Sequence, residues 1–226
     1  MIDAYLEIGS DGGYLAWSFD PLGCHARGMG EEEALAGLAE EINYYHRRAG
    51  IDAFPLTRGD FRVAGRVTRQ KQVGKGDTSA TFAPDLRPMT RAEVDDALAA
   101  LRRSREDLLE LIGRIPDALL DWRPGDGRRS LSDQIRHIAE CERWYLEKFG
   151  PAGRSPRSRT VVERLAIVRQ LTVDRFRGMS DEELAQSVKV LSETWTARKI
   201  LRRCLYHERF HYLTIKRDLE QAGRSS

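Results

Sequence analysis

The feature that most constrains this chain is a succession of helix signals that begins at Thr90 and continues almost to its end. Thr90 is followed three residues later by Glu93, which is the pattern of a capping box, and apolar residues then recur every three to four positions. Gly and Pro interrupt the pattern near residues 113–116 and 150–151. The pattern predicts an all-α, up-down four-helix bundle over residues 89–226. The expected helices are 90–113, 130–150, 160–177 and 194–223, with a short helical turn at 180–183.

The first 71 residues follow a different pattern, which is typical of strands and one helix. Two β-prone runs flank Ser10-Asp11-Gly12-Gly13 within residues 1–20 and predict a hairpin. A short third strand is expected within 24–29, a helix from Glu31 to about Arg48, and a last strand over 60–69. Residues 1–71 are therefore expected to form an α+β domain, a small antiparallel sheet with one helix. Residues 72–88 are rich in Gly, Ser, Thr and Pro and are predicted to be a linker.

Composition narrows the classes of protein that remain. The 226 residues are 41% hydrophobic and 32% charged, as in globular proteins, and the net charge of +2 is too small to indicate nucleic acid or a membrane as an obligate partner. The chain contains neither an apolar run of the ~18 residues needed to span a bilayer nor a signal-peptide pattern at its start. Three cysteines are too few for a disulfide framework, so a cytoplasmic location is expected.

Histidine spacing gives the first indication of chemistry. His207 and His211 lie four residues apart on the last predicted helix, so their imidazoles share one face. His137 lies among the apolar residues of the second predicted helix and is the obvious third member. Three inward imidazoles are costly to bury unless something binds them, and neutral imidazole is a ligand of divalent metals. We therefore predict a metal site at His137, His207 and His211; the alternative is three histidines with ordinary partners in the core.

Other side chains near these histidines leave the ligand set open. Cys141 and Cys204 each lie about one helical turn from a histidine, so a mixed His/Cys site is an alternative to two small core cysteines. Glu140 and Glu208 would either accept hydrogen bonds from the imidazole N–H groups or be solvated charges. None of the surrounding residues is identified as a catalytic nucleophile or general base.

Two further histidines and a basic segment are interpreted as structural. His25 follows a cysteine in the predicted sheet, and His46 lies near the end of the first helix, where a cation complements the helix dipole. Basic residues cluster near the start of the last predicted helix without a reading-head motif, and they are interpreted as the solvated side of the bundle rather than a nucleic-acid surface. They are Arg198, Lys199, Arg202 and Arg203.

The segments SLSDQIRHIAECERWYL (130–146) and TARKILRRCLYHERFHYLTIKRDL (196–219) resemble the DinB-like superfamily of metal-binding four-helix bundles. Members of that superfamily carry one histidine on the second helix and an H-x3-H pair on the last. The resemblance implies a divalent ion, zinc or nickel first and iron or manganese as alternatives, with open coordination positions. Some members are transferases that use a low-molecular-weight thiol such as mycothiol or bacillithiol, so the resemblance implies a thiol of this kind as an expected small-molecule partner.

The segment YLEIGSDGGYLAWSFDPLGCHARGMGEEEALAGLAEEI (5–42) resembles the HicB-like antitoxin fold. Antitoxins of that family bind and block a small RNase toxin, and many carry a C-terminal DNA-binding domain. In this chain a helical bundle is expected where that domain would follow. The resemblance therefore implies an interaction or ligand-sensing module rather than a complete antitoxin.

Two functions compete on these observations. The first is a metal-dependent thiol transferase or small-molecule hydrolase, which is expected to have a cavity over the metal lined by aromatics such as Trp144 or Tyr206. The second is a non-enzymatic interaction or regulatory protein, in which the N-terminal domain binds a protein partner and the metal site is structural or vestigial. A homodimer is expected in either case, because small sheets with exposed edges often pair and relatives of both domains dimerise.

Overall fold

The computed structural model describes residues 1–69, 72–125, 127–151 and 160–224. The chain forms two compact units. The first consists of Met1–Pro88 together with Lys189–Arg202, and the second of Met89–Val188 together with Arg203–Ser226. The division into domains at 1–71 and 89–226 stays a prediction about which segments fold independently.

The first unit contains a four-stranded sheet in the order β3-β2-β1-β4 and one long helix. The hairpin turn forms as predicted, because Gly12 adopts φ +76° and the Asp11 carboxylate accepts a hydrogen bond from the Gly13 N–H. Gly50 ends the helix in a left-handed conformation. The elements are β1 (Ile2–Gly9), β2 (Tyr14–Phe19), β3 (Leu22–Gly28), α1 (Glu31–Ala49) and β4 (Phe61–Arg69).

The sheet is mixed, so the prediction of an antiparallel sheet was wrong for its last strand. β1 pairs antiparallel with β2, but it pairs parallel with β4, with Ile2 opposite Phe61. β3 runs in the same direction as β1, because both are antiparallel to β2. The helix after β3 then returns the chain to the other edge of the sheet, and such helical crossovers join parallel strands.

One face of the sheet is covered by α1. Leu35, Leu38 and Ile42 are fully buried against strand residues such as Leu6. The helix lies close to the sheet at Gly37, where a Cβ atom would be 2.8 Å from the Cβ of Ala26. This packing is the amphipathic arrangement that the apolar spacing of the helix predicts.

The segment predicted as a linker packs within the first unit. The carboxylate of Glu7 on β1 is fully buried and accepts hydrogen bonds from the backbone N–H groups of Ser79 (2.8 Å) and Ala80 (3.0 Å). It also accepts one from the hydroxyl of Thr78. Residues 73–86 thus contribute buried side chains to this unit, although their sequence lacks periodicity.

The basic segment is buried, so the prediction that it forms the solvated side of the bundle was wrong. The guanidinium of Arg202 binds both carboxylate oxygens of Asp85, at 2.9 and 2.7 Å, and lies 4.3 Å from the ring centroid of Trp17. Lys199 contacts Glu193 at 3.1 Å. The sequence could not reveal the Asp85 partner, which is 117 residues away. The buried cations are Arg198, Lys199, Arg202 and Arg203.

The second unit is built on four long helices, and the predicted four-helix bundle is confirmed. Its core joins Leu108, Ile135, Leu165 and Ile215, one from each helix. Among the described residues, no helix is long and apolar enough to cross a membrane. The four helices are α2 (Arg91–Ile112), α3 (Leu131–Leu146), α4 (Val161–Gly178) and α6 (Ala197–Arg224), with the short α5 (Asp181–Ala185) before the last.

The helix starts are set by hydroxyl side chains. Thr90, Ser130 and Thr160 each accept a hydrogen bond from a backbone N–H in the first turn of the helix that follows. The last helix begins at Ala197 rather than near Thr194, because Glu193–Thr196 forms a strand, β6, that pairs with β5 (Ser187–Val190). Thr196 then caps the helix by accepting a hydrogen bond from Lys199 N–H. The all-α prediction therefore missed a two-stranded hairpin.

Candidate metal centre

The three predicted histidines lie together in the second unit. His137 is on α3, while His207 and His211 are one turn apart on α6. The ring centroid of His137 lies 5.0 Å from that of His207 and 5.1 Å from that of His211. The rings of His207 and His211 are 4.5 Å apart. The tertiary structure thus joins the pair on one helix to the single histidine on another.

Cys141 is a fourth potential donor at the same place. It follows His137 by one turn of α3, and its Sγ lies 3.5 Å from Nε2 and 3.6 Å from Nδ1 of that histidine. The candidate ligand atoms of His137, Cys141 and His207 all lie within 4.8 Å of one another. The sequence interpretation had favoured a core role for this cysteine.

The surroundings favour neutral imidazoles. Burial lowers the pKa of His207 well below 6.5, and the neighbouring His211 and His137 lower it further. Burial and Arg129 also lower the pKa of His137. Burial raises the pKa of the Cys141 thiol to about 11, so without a metal it is protonated at neutral pH. Neutral imidazole is the form that binds a metal ion.

These pKa shifts predict a pH dependence for the metal-free protein. Since the pKa of His207 is lower in the folded state, the unfolded chain binds more protons, and stability is lost as pH falls below about 6.5. We expect His207 to account for a loss of unfolding free energy between pH 7.5 and 5.5, because the unfolded chain takes up a proton at this residue over that range and the folded chain does not. Urea unfolding of the chelator-treated protein at both pH values measures it. His207→Gln should remove most of this loss and His46→Gln should not; equal pH profiles for both variants would contradict the assignment.

A buried cluster of four charged residues adjoins the candidate ligands. We call it the ion cluster, and it was not predicted from the sequence. Arg105 on α2 binds Glu208 on α6 and Glu142 on α3, each at 2.8 Å. Arg169 on α4 binds the same two carboxylates, at 2.8 Å and 3.0 Å. Two of its members adjoin candidate ligands in sequence, since Glu142 follows Cys141 and Glu208 follows His207. The ion cluster therefore links all four long helices at the level of the candidate site.

The two glutamates named from the sequence, Glu140 and Glu208, lie in different surroundings. Glu208 faces Arg105 and Arg169. It is therefore not the solvated charge that one of its two predicted roles required. Glu140 is exposed and lies 3.4 Å from Arg164. Burial would raise the pKa of Glu142, but Arg169 and Arg105 outweigh burial and lower it to about 2. Glu142 is thus a stable buried anion, and its partners are separated from it by 27 and 37 residues in the sequence.

The aromatic residues whose ring contacts with the candidate ligands the structure describes are Tyr145 and Phe210, which lies 5.2 Å from the His211 ring, and not the two named from the sequence. The ring centroid of Tyr145 lies 6.1 Å from that of His207, and the Tyr145 hydroxyl accepts a hydrogen bond from Arg203 at 3.3 Å. Trp144 is 47% exposed, and Tyr206 is buried and stacks on Phe210.

The remaining histidines and cysteines lie elsewhere. His25 is buried in the first unit, with Nδ1 3.0 Å from the carbonyl oxygen of Gly23, and His46 is in the last turn of α1. Cys24 belongs to the core of the sheet. Cys204 is buried on α6, and burial raises the pKa of its thiol well above 9. The structural interpretation of His25 and His46 stays a prediction.

The donor set fits a divalent transition metal. Three imidazoles and a thiol converge from two helices, and nitrogen and sulfur donors suit zinc, nickel and iron better than they suit magnesium or calcium.

The fold and the site together define a helical-bundle protein with a candidate metal centre. The sequence profile of the DinB superfamily matches residues 100–215, just over half of the chain and the part that holds all three histidines. The chain belongs to the DinB superfamily.

Solved structures include several similar proteins. A DinB-like protein from Bacillus subtilis is 15% identical, with 56% of this chain and 91% of that chain covered and a TM-score of 0.48. YfiT from Bacillus subtilis, described as a probable metal-dependent hydrolase with an unusual four-helix bundle topology, is 15% identical, with coverages of 66% and 95% and a TM-score of 0.49. TT2238, a four-helix bundle protein, is 20% identical, with coverages of 54% and 98% and a TM-score of 0.43. No curated protein sequence matches the chain.

Proposed function

We propose that this protein binds one divalent metal ion through His137, His207 and His211 and uses it to act on a small molecule, as a hydrolase or a thiol transferase. The observation that carries the proposal is the convergence of three imidazole rings, 4.5 to 5.1 Å apart, from two helices. Membership of the DinB superfamily and the description of YfiT as a probable metal-dependent hydrolase agree with it. Zinc or nickel is the first expectation, with iron or manganese as alternatives.

The chain's own residues would orient and hold the ion. The i, i+4 spacing aims His207 and His211 at the same point, and α3 brings His137 to it from the facing helix. Bound there, a divalent ion supplies Lewis acidity and lowers the pKa of a coordinated water or thiol. The ion cluster keeps α3 and α6 in register, so the ligands do not depend on the metal alone for their arrangement.

The test is metal content. The protein is purified without a metal-binding tag and analysed for bound elements beside a His207→Ala, His211→Ala double variant, with His46→Ala as the matched control. We expect about one equivalent of metal in the wild type and in the control and almost none in the double variant. A wild type that neither contains metal nor takes it up when it is added would refute the proposal.

A second function is favoured by one observation, the position of Cys141. A thiol 3.5 Å from a ring nitrogen of His137 could complete a four-ligand set, and closed sites are the structural kind. Unless a substrate expands that shell or displaces a ligand, such an ion would be structural. The protein would then be an interaction or regulatory protein whose N-terminal unit binds a protein partner, as the resemblance to HicB-like antitoxins implies. Turnover of activated esters, amides and thiol acceptors by the metal-loaded protein, absent from the double variant, would favour the enzyme.

Three further expectations accompany the proposal. A homodimer would be measured by sedimentation of the full chain, and a cytoplasmic location by cell fractionation. The N-terminal unit's partner would be sought among small RNase-like proteins encoded beside this one. Each of these is independent of the metal, so it can fail without affecting the proposed site.

A further inference from the structure

We propose that Cys141 is itself a metal ligand, so that the centre is a mixed nitrogen–sulfur site formed by His137, His207, His211 and the Cys141 thiolate. This inference rests on the proposed function, because it concerns the same metal ion. The inference adds a fourth ligand, Cys141, to the three histidines. A sulfur ligand also changes which metals the site selects.

The separation of the donor atoms is the first argument. Nitrogen and sulfur bound to one tetrahedral zinc ion, at about 2.1 and 2.3 Å from it, are about 3.6 Å apart. Cys141 Sγ lies 3.5 Å from Nε2 and 3.6 Å from Nδ1 of His137, so both distances match the separation of two ligands of one ion. A simple S–H···N hydrogen bond would give a similar distance, which is why a second observation is needed.

The second argument is the wider arrangement. A ligand atom of His207, on a different helix, joins those of His137 and Cys141 within 4.8 Å. The His211 ring lies 4.5 Å from that of His207. A hydrogen bond within α3 would not require the imidazole of His207, on another helix, to lie beside the same thiol, whereas a shared ion does.

The other cysteines show what a non-ligand thiol looks like in this chain. Cys204 is on α6, three residues before His207, yet it is buried beside the ion cluster, with Glu142 and Arg169 as its electrostatic neighbours. Cys24 is in the core of the sheet. Only Cys141 is grouped with histidines among the residues that the structure describes.

A thiolate ligand has two chemical consequences. It makes the site softer, so zinc, and cobalt as its spectroscopic substitute, are favoured over manganese. It also brings the number of protein ligands to four, which fills a tetrahedral shell. A substrate would then reach the metal only by expanding the coordination to five or by displacing a ligand.

The experiment uses cobalt(II) as the probe on the full-length, metal-stripped protein. We expect the wild type to show the near-ultraviolet sulfur-to-cobalt charge-transfer band, and Cys141→Ser to bind cobalt without it. Cys204→Ala and Cys24→Ala are the matched controls and should keep the band. X-ray absorption of the zinc-loaded protein gives a second readout, a sulfur shell at about 2.3 Å that Cys141→Ser lacks.

Each outcome supports or overturns a distinct statement. Metal bound by the wild type without a sulfur band or shell would overturn the role of Cys141 and leave the three-histidine site intact. A charge-transfer band that persists in Cys141→Ser and disappears in Cys204→Ala would assign the sulfur ligand to Cys204. That result would also overturn the role of Cys141. Failure of the wild type to bind cobalt or zinc would overturn the proposed function, and this inference with it.

Discussion

Arg105→Met is expected to destabilise the helical unit by about 3–5 kcal/mol, because it leaves the two buried carboxylates of the ion cluster with one cation between them. Arg105 is 6% exposed and bridges Glu142 and Glu208, which are 3% and 1% exposed. Methionine keeps the length and apolar volume of the side chain, so the loss reports on charge rather than on a cavity. Urea unfolding followed by the helical circular dichroism signal measures the change.

The same substitution one turn earlier is the control. Arg102 lies on the same helix and pairs with Glu106 at 2.9 Å, but its side chain is 69% exposed. Arg102→Met should therefore cost no more than about 1 kcal/mol. If the two variants unfold at the same urea concentration, the ion cluster does not stabilise the bundle. Because Glu142 and Glu208 adjoin Cys141 and His207 in sequence, Arg105→Met should also weaken metal binding, whereas Arg102→Met should not.

Arg202→Met is expected to have an effect of similar size, about 3–5 kcal/mol, on the first unit. Arg202 and Asp85 are both fully buried, and their bidentate pair is the only ion pair that the structure gives for either among the described residues. Removal of the guanidinium leaves the Asp85 carboxylate with its hydrogen bond from Phe82 N–H alone. It also removes the cation that lies over Trp17.

Hydrogen exchange localises this effect. Amides of β1 and β2 should lose protection by at least about 100-fold in Arg202→Met, since the opening free energy falls by several kcal/mol. Arg66→Met is the control, because it removes an ion pair with Glu31 in which the Arg66 side chain is 52% exposed. It should leave the same amides protected. Unchanged protection in both variants would show that the sheet does not depend on the buried pair.

The buried pair of Arg202 with Asp85 has a consequence for α6. Arg202 is bound to the first unit, and five residues later His207 is in the candidate metal centre of the second. One continuous helix, Ala197–Arg224, therefore carries both the buried anchor and the candidate ligands.

Local signals in the sequence determined most of the secondary structure and the helices on which the candidate ligands lie. Helix caps and tight turns depend on neighbours a few residues away, so they can be predicted from the sequence. Examples are the caps at Thr90, Ser130 and Thr160, the Asp11-Gly12 turn and the end of α1 at Gly50. The i, i+4 spacing of His207 and His211 is equally local. Those are the parts of the prediction that the structure confirms as elements and contacts.

Only the tertiary structure decided what depends on partners distant in sequence. The parallel pairing of β4 with β1, the burial of Arg202 against Asp85 and the ion cluster across four helices join residues between 27 and 117 positions apart. A charged residue looks the same in sequence whether it faces solvent or a buried counter-ion, because its burial depends on which helix packs opposite. For the same reason, the sequence could place Cys141 one turn from His137 but could not show that the rings of another helix would meet it there.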